Sequence, residues 1–394
     1  MRKDEEPNKQ LQAELRGDVL EKVVMHVPMA DLPSVSFVSR EWHRAVHSSL
    51  LYRPSQLPWL IMRDQRSPKS SSLYIHALDP YSRSWISFSL SNKPFEMVMP
   101  CILRRSGGDR FYALLFRKMA ISRDPFGAKW EEAKALRTWK ADPVVAEVGP
   151  YVVVAGGGSL MELDYGQEGS VELYDRRTSM WEPAGLIPVM FEGSTCATWL
   201  SVVASHKRLY IMERKTGWIS WFDPEIKRWG PVRQLRPDPA LSAWAITVGN
   251  EEKLLLFGVG REGEGEHGGK MKVRTWQVKG DNLLVVDNKA EEMPKEMVDR
   301  LFPCDKGDDA TWQDCSLEVC GTEHGGYVCN PVEMRNGVVG FELSSQGKKN
   351  SKRIIVERWE WVPSPERVGH NPMGRILCGS SPVGFHDICG LRRC

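Results

Sequence analysis

A short phrase recurs four times in the first 229 residues of the chain, and it constrains the possible fold more than any other feature. In each copy an Asp precedes a Trp by six positions; the pairs are Asp79 and Trp85, Asp124 and Trp130, Asp175 and Trp181, and Asp223 and Trp229. The steps between successive tryptophans are 45, 51 and 48 residues. A period of about 50 residues is typical of repeat arrays, in which each unit packs mainly against its neighbours.

The residues around each pair predict a turn between two β-strands. Before each Asp lies a run rich in β-branched and aromatic residues, such as LYIHAL or GWISWF, which is typical of a strand. An Asp side chain can accept hydrogen bonds from the backbone ahead of it and start a turn, and Pro follows the Asp in three of the four copies. The Trp opens the next strand, where a large side chain would fill the wedge between neighbouring sheets. We therefore interpret the four Asp residues as structural.

Two further units are predicted from periodicity alone. The fifth centres near Trp276, where KLLLFGVG, MKVRTWQV and DNLLVVDN resemble strands but lack the Asp and Trp pair. The sixth contains SLEVCGTE, GYVCNP, NGVVGFEL and RIIVERWEWVP. The chain is therefore predicted to be mainly β, with a β-propeller of six four-stranded blades; five or seven blades are the alternatives.

The first unit is one strand short, because only PWLIM, SLYIHAL and SWISFSL precede the second unit. An unpaired strand edge would invite aggregation. We therefore expect the C-terminal run GRILCGSSPVGFHDI to supply the fourth strand, from about residue 374 to 388, and to close the ring. The predicted propeller spans residues 56–388, and residues 389–394 form a tail.

Residues 15–55 have a different pattern, which predicts a small all-α module of three short helices. Asp18 is a candidate N-cap of the first helix, with Glu21 as its capping-box partner. Asp31 and Ser39 are candidate N-caps of the second and third helices. So small a unit cannot bury all of its apolar side chains, which indicates that part of this surface meets a partner. The residues before it, 1–14, are predicted to be disordered.

The segment LRGDVLEKVVMHVPMADLPSVSFVSREWHRAV resembles an F-box. The family pattern has a leading Leu-Pro, a hydrophobic helix, a Pro, an Asp-Leu pair, and a Val-rich stretch that ends in a basic residue, one further residue and Trp. The matching residues are Leu15, Leu20, Val24, Pro28, Asp31, Leu32, Val35, Val38, Arg40 and Trp42. Arg16 stands where the family usually has Pro.

An F-box followed by degenerate kelch repeats resembles the plant kelch-repeat F-box proteins, and the resemblance extends from about residue 15 to about residue 388. The period of about 50 residues matches the kelch repeat. The Gly-Gly doublet of that repeat is clearest at Gly156–Gly158, with weaker copies at Gly107–Gly108 and Gly325–Gly326.

The resemblance implies a substrate receptor of an SCF-type ubiquitin ligase. The F-box would bind a Skp-type adaptor and, through it, cullin and RING subunits. The propeller would hold a protein substrate for ubiquitination and proteasomal degradation, so the chain itself would not be an enzyme. Relatives of this type target enzymes of plant secondary metabolism, notably of the phenylpropanoid route.

The residues expected to bind the adaptor are apolar residues of the F-box: Leu15, Leu20, Val24, Pro28, Leu32 and Val35. Spacing alone leaves open that some of them form the core of the module, because a stripe at helical period usually faces inward. The substrate is expected on one rim of the propeller. The candidate loops are 64–71, 104–110, 158–169, 260–270 and 303–313, and the sequence does not indicate which of them share a rim.

The composition argues against several other partners. The net charge of +2 gives no overall attraction to nucleic acid or to an anionic membrane, and no apolar run approaches the ~18 residues of a membrane span. The nine cysteines are scattered, and the charged N-terminus MRKDEEPNKQ is unlike a secretory signal. We therefore expect reduced thiols and a location in the cytoplasm, the nucleus or both.

Two other motifs are weaker. VVVAGGGSLMELD resembles a dinucleotide loop, but the strand-like SVELYD follows where a helix should begin. A zinc site could use only Cys315, Cys320, His324 and Cys329, whose spacing is not among the common patterns. We therefore predict no cofactor and no metal. Two alternative function classes stay open, a kelch scaffold outside any ligase and a propeller enzyme whose metal ligands would converge on the ring axis.

Overall fold

The structure is a computed structural model and describes residues 15–52, 57–64, 73–90, 102–104, 110–115, 118–138, 140, 142–157, 169–194, 199–250, 253–262, 270–286, 289–303, 316–346, 353–366, 368 and 376–391. The predicted N-terminal segment 1–14 lies outside these residues, as do the last three residues of the predicted tail. No helix in the described ranges is both long enough and apolar enough to cross a membrane.

The N-terminal module consists of three helices: α1 at Gly17–Met25, α2 at Leu32–Ser36 and α3 at Arg40–Leu51. Ser39 caps α3 as predicted, because its Oγ accepts a hydrogen bond of 3.3 Å from the backbone N–H of Trp42. The predicted capping box at Asp18 is wrong. The helix α1 begins at Gly17, with Arg16 at the N-cap position, so Asp18 lies in the first turn. There its negative charge interacts favourably with the positive end of the helix dipole.

The propeller strands fall into blades in chain order. The first blade contains β1, β2 and β3 at Trp59–Asp64, Leu73–Asp79 and Ser84–Leu90. The second contains β4 to β7 at Ile102–Arg104, Tyr112–Leu115, Lys118–Ser122 and Trp130–Ala133. The third contains β8 to β11 at Val144–Val148, Tyr151–Ala155, Ser170–Asp175 and Met180–Leu186.

The later blades are longer. The fourth contains β12 to β16 at Leu200–Ala204, Leu209–Glu213, Trp218–Asp223, Arg228–Trp229 and Arg233–Gln234. The fifth contains β17 to β21 at Leu241–Asn250, Lys253–Glu262, Lys270–Lys279, Leu284–Val285 and Glu291–Glu292. The sixth contains β22 to β25 at Glu318–Thr322, Gly325–Cys329, Val338–Gln346 and Arg353–Val362. The remaining described elements are α4 at Lys295–Leu301, β26 at Ile376–Ser381, α5 at Phe385–Leu391, and two short 3-10 helices at Val189–Phe191 and Met334–Asn336.

Each blade is an antiparallel sheet, so the predicted six-bladed propeller is confirmed. Four sheets have four strands, and two carry a short extra strand, β16 or β21. The strands β8, β12, β17, β22 and β26 contact one another in that order, so these strands, each at one edge of its sheet, line the axis. The sequence interpretation missed β17, the axial strand of the fifth blade.

The first blade contains strands from both ends of the propeller. Its order is β26, β1, β2, β3, and the β1–β26 register runs from Trp59 opposite Ser381 to Asp64 opposite Ile376. The strand β26 is shorter than the predicted closing strand. It ends at Ser381 because Pro382 has no N–H to donate to the sheet, and the chain then forms α5, where an extended strand and a tail were expected.

The four repeated Asp residues start the same kind of turn. One carboxylate oxygen of each accepts a hydrogen bond from the backbone N–H two residues ahead: Tyr81 at 3.0 Å, Phe126 at 2.9 Å, Arg177 at 2.8 Å and Glu225 at 3.0 Å. The fifth blade keeps this turn without an Asp. There Leu283 donates to the Lys279 carbonyl at 2.9 Å and has φ 55°, as Arg83 donates to the Asp79 carbonyl at 2.8 Å with φ 55°.

The repeated Trp residues lie in the outermost strands and pack toward the preceding blade. The Trp85 indole N–H donates to the Pro363 carbonyl at 2.9 Å, and the Trp181 indole N–H donates to the Lys134 carbonyl at 2.7 Å. Trp130 packs in a cluster with first-blade residues, and Trp229 packs against a cluster of third-blade residues. All four side chains are half-buried, as expected for a wedge between sheets.

Truncation after Pro365 is predicted to unfold the propeller, because it removes β26 and exposes the inner edge of β1. Circular dichroism and limited proteolysis should show loss of the cooperative thermal transition. The matched control is truncation after Leu391, which retains every described element. A Pro365 truncation that keeps a cooperative transition would contradict the dependence of the ring on this pairing.

Asp124→Ala is predicted to lower the free energy of unfolding by about 1–2 kcal/mol. The Asp124 carboxylate accepts hydrogen bonds from the backbone N–H groups of Phe126, Ala128 and Lys129. Urea unfolding measures the loss. Asp124→Asn keeps one acceptor oxygen and should lose less, and equal losses in the two variants would show that these hydrogen bonds do not stabilise the turn.

Candidate functional surfaces

The helical module exposes several large apolar side chains: Leu15, Val19, Val23, Phe37, Val38, Leu51 and Tyr52. Val19 and Val23 are four residues apart on α1, so they share one side of that helix. Phe37 directly follows α2 and is 85% exposed. An apolar surface of this extent on so small a module indicates a site for another protein.

The structure corrects the predicted adaptor-binding set. Leu20, Val24 and Leu32 are at most 1% exposed and form the core of the module with Ala45 and Val46, so the expectation that they face a partner is wrong. Of the other members, Leu15 is exposed, whereas Pro28 and Val35 are half-buried.

The sequence reasoning missed Val19, Val23, Phe37 and Val38 as contact candidates. On α1 two apolar stripes have the same spacing of four residues, one through Leu20 and one through Val19. Periodicity cannot select between them, because the choice depends on where α3 packs.

The module is held on the propeller by a polar contact and an apolar one. The backbone N–H of Met29 donates to Oδ2 of Asp79 at 3.0 Å, and this Asp, in the first blade, is 1% exposed. On the apolar side, Phe385 of α5 packs against the core of the module, with its ring 5.7 Å from that of His47. The next turn of α5 packs against the first blade through Ile388.

Strand order assigns the module to one rim of the ring. Turns between first and second strands and between third and fourth strands share one rim, which we call the module-side rim. The module joins the start of β1 and contacts Asp79, and both positions lie on this rim. The opposite rim, here the far rim, carries the turns between second and third strands and the connections between blades.

Four of the five predicted substrate loops are flanked by strand ends on the far rim. They are 64–71, 158–169, 260–270 and 303–313, whereas 104–110 connects strand ends on the module-side rim. Most residues of these loops lie outside the described residues. The far rim is therefore where the described strands bring most of the predicted loops together.

The far rim also contains an open cleft of about 510 Å³ where the connection from the third to the fourth blade meets the β13–β14 turn. The residues that line it are Met190, Glu192, Gly193, Ser194, Trp199, Glu213, Thr216 and Trp218. Its volume lies within the range of about 300–1,000 Å³ that is typical of ligand sites.

One wall of the cleft is a connection pinned by apolar side chains. Ile187 and Phe191 are at most 2% exposed and pack into the core of the third blade. Between them, Val189 and Met190 are 75% and 44% exposed. The buried Ile187 and Phe191 side chains thus fix the backbone, while Val189 and Met190 face solvent. Exposed apolar side chains on a fixed backbone indicate a binding surface.

The other wall is the tight β13–β14 turn. Gly217 has φ 73°, and a Cβ there would lie 2.5 Å from the Leu235 carbonyl oxygen, so the turn requires glycine. Oε2 of Glu213 accepts hydrogen bonds from the backbone N–H groups of Lys215 at 3.2 Å and Thr216 at 2.5 Å. These contacts fix Glu213 and Trp218 in the wall of the cleft.

Charge beside the cleft is unevenly distributed. The Arg214 guanidinium turns away toward the axis and donates to the carbonyls of Leu200, at 3.0 Å, and Leu317. Glu318, the first residue of β22, lies next to Leu317 in the chain. Burial raises the pKa of its carboxyl, and the positive charge of Arg214 partly opposes that shift. Lys215 instead lies over the ring of Trp199, with Nζ 5.3 Å from the ring centre.

The other sequence motifs have structural explanations. Gly156 and Gly157 have φ 63° and 87° after β9, and β9 pairs directly with β10, the next element among the described residues, as consecutive strands of a blade do. Cys320 and Cys329 lie in β22 and β23, while Cys315 is outside the described residues. In the part of the chain that is described, no group of three or more His, Cys, Asp and Glu side chains could hold a metal ion.

Comparison with known proteins agrees with this architecture. Residues 17–54 match the F-box domain. The chain is 28% identical over 385 residues to the F-box/kelch-repeat protein At1g23390 of Arabidopsis thaliana, covering 96% of this chain and 92% of the relative. It is also 24% identical over 254 residues to the F-box only protein 6 of Arabidopsis thaliana, covering 62% of this chain and 52% of that relative. The chain thus combines an F-box domain with a six-bladed β-propeller, and over almost its whole length it is similar to a plant F-box/kelch-repeat protein.

Proposed function

We propose that this protein is the substrate-recognition subunit of an SCF-type ubiquitin ligase. The observation that carries the proposal is the placement of two surfaces. An F-box with exposed apolar side chains lies on one rim of the ring, and an open cleft lies on the other. The F-box implies binding to a Skp-type adaptor, which connects to cullin and RING subunits in such ligases.

In this proposal the chain carries out no bond chemistry. The propeller binds a protein client on the far rim while the F-box joins the ligase, and the client lysines are held near the ubiquitin-conjugating enzyme. Holding two reactants together raises their effective concentration and needs only a firm connection between the two sites. The contacts of Asp79 with Met29 and of Phe385 with the core of the module supply that connection.

The adaptor surface that we propose consists of the exposed residues Val19, Val23, Phe37 and Val38, with Leu15 beside α1. Leu20, Val24 and Leu32 support it from the core of the module. Charged substitution at these core positions would therefore unfold the module, so the exposed positions give the cleaner test.

The proposal includes a client class and a location. Resemblance to plant kelch-repeat F-box proteins favours enzymes of plant secondary metabolism, notably of the phenylpropanoid route, as clients. The cytoplasm and the nucleus are the compartments in which such a ligase would meet them.

The double variant Val23→Asp, Phe37→Asp is predicted to weaken adaptor binding by about 100-fold or more, because each apolar side chain buried at an interface contributes about 1.5–3 kcal/mol. Co-purification and calorimetry with a Skp-type adaptor measure the effect. The matched control is Val332→Asp, since Val332 is 62% exposed in the β23–β24 turn on the far rim. Undiminished binding by the double variant would overturn the assignment of this surface.

In plant cells, higher levels of the intact protein should lower the abundance of client enzymes by about half or more, and proteasome inhibition should restore them. The Val23→Asp, Phe37→Asp variant should have no such effect, because it keeps the client site but cannot join the ligase. Quantitative proteomics of the phenylpropanoid enzymes is the measurement. Unchanged levels of all of them with the intact protein would rule out this client class.

A further inference from the structure

We infer that the cleft on the far rim binds an arginine side chain of the client polypeptide. This inference rests on the proposed function, because it names the chemistry that the receptor would recognise.

The first argument is the charge of the cleft. Among its lining residues are two carboxylates, Glu192 and Glu213, and no Lys, Arg or His. Glu213 is 8% exposed; hydrogen bonds from the backbone N–H groups of Lys215 and Thr216 and from the Thr216 hydroxyl hold its carboxylate in place, and its negative charge attracts a cation in the cleft. Lys215 lies over the Trp199 ring beside the cleft, while Arg214 is directed to the Leu200 carbonyl. Even with the Lys215 charge counted, one of the two carboxylates is in excess.

The second argument is the aromatic walls. Trp199 is 40% exposed and Trp218 is half-buried, and both indoles line the cleft. The face of an indole attracts cations, and a planar guanidinium stacks on it better than a compact ammonium does. Lys215 already shows that the Trp199 ring accepts a cation at 5.3 Å. The carboxylates would therefore pair with the guanidinium of an arginine side chain, and the indole rings would pack against the guanidinium plane and the apolar stem.

The third argument concerns the size of the ligand. Val189, 75% exposed, and Leu186, 55% exposed, are apolar residues at the start of the connection that leads into the cleft. A free amine in the cleft would leave this apolar surface uncovered. A polypeptide would place residues next to the arginine on Val189 and Leu186, so the surface favours a segment of a protein.

Substitution of Lys215 tests whether the ligand of the cleft is positively charged. In the free protein its ammonium occupies a face of Trp199 and opposes the approach of a second cation. Lys215→Gln should therefore strengthen binding of an arginine peptide, whereas Glu192→Gln should weaken it. An acidic ligand would show the reverse pattern, and an uncharged one would respond to neither substitution.

The experiment uses the purified full-length chain and a nine-residue peptide library in which the central residue is fixed and the others are degenerate. Peptides with central Arg should be retained about fivefold or more over those with central citrulline, a neutral analogue of the same shape. Individual peptides selected from the library are then measured by fluorescence anisotropy. The dissociation constant should rise about threefold to tenfold in Glu192→Gln and fall in Lys215→Gln.

The matched control is Glu225→Gln, which removes an exposed carboxylate from the module-side rim and should change nothing. Equal retention of Arg and citrulline peptides would overturn the inference, as would an Arg preference that the Glu192 and Lys215 variants leave unchanged. Agmatine that displaces the peptides at equal concentration would assign the cleft to a small cation and overturn the polypeptide. Because no adaptor is present, failure here is distinct from failure of the F-box assignment.

Discussion

The antiparallel pairing of β1 with β26 is the interaction on which the rest of the structure depends. This pairing closes the ring, because the first blade combines strands from both ends of the propeller and leaves no free inner edge on β1. The Tyr327 hydroxyl reinforces the joint by donating to the Pro58 carbonyl at 2.8 Å, across the boundary between the sixth and first blades. Burial raises the pKa of Tyr327, so the phenol keeps its proton and remains a donor.

The same joint positions the F-box. The residues after β26 turn at Pro382 and form α5, which contacts the first blade through Ile388 and the module through Phe385. Ring closure and module attachment therefore use one stretch of chain. Because the F-box also precedes β1 in the chain, strand direction places it on the module-side rim and leaves the far rim free of the module.

The repeated phrase has two separable roles in the ring. Its Asp forms local hydrogen bonds that favour the turn, but the turn of the fifth blade has the same backbone shape with Lys279 in that place. Its Trp works across blades, as the bond from Trp85 to the Pro363 carbonyl illustrates. A blade can therefore lack the Asp and Trp motif and still form the turn. Other apolar side chains must then fill the space between neighbouring sheets, as Trp244 and Trp276 do between the fourth and fifth blades.

By itself, the sequence determined the repeat and the helical module, because these depend on local periodicity and on hydrogen bonds within a few residues, such as that of Ser39 with Trp42. It predicted six blades but left five or seven open, and the structure decided between them. Only the tertiary structure decided which of two equally spaced stripes on α1 is buried, since that depends on packing against α3. It also decided which loops share a rim and brought Glu192 and Trp218 into one cleft. Those two residues line one cleft because the connection between the third and fourth blades lies beside the β13–β14 turn, an arrangement that no local pattern encodes.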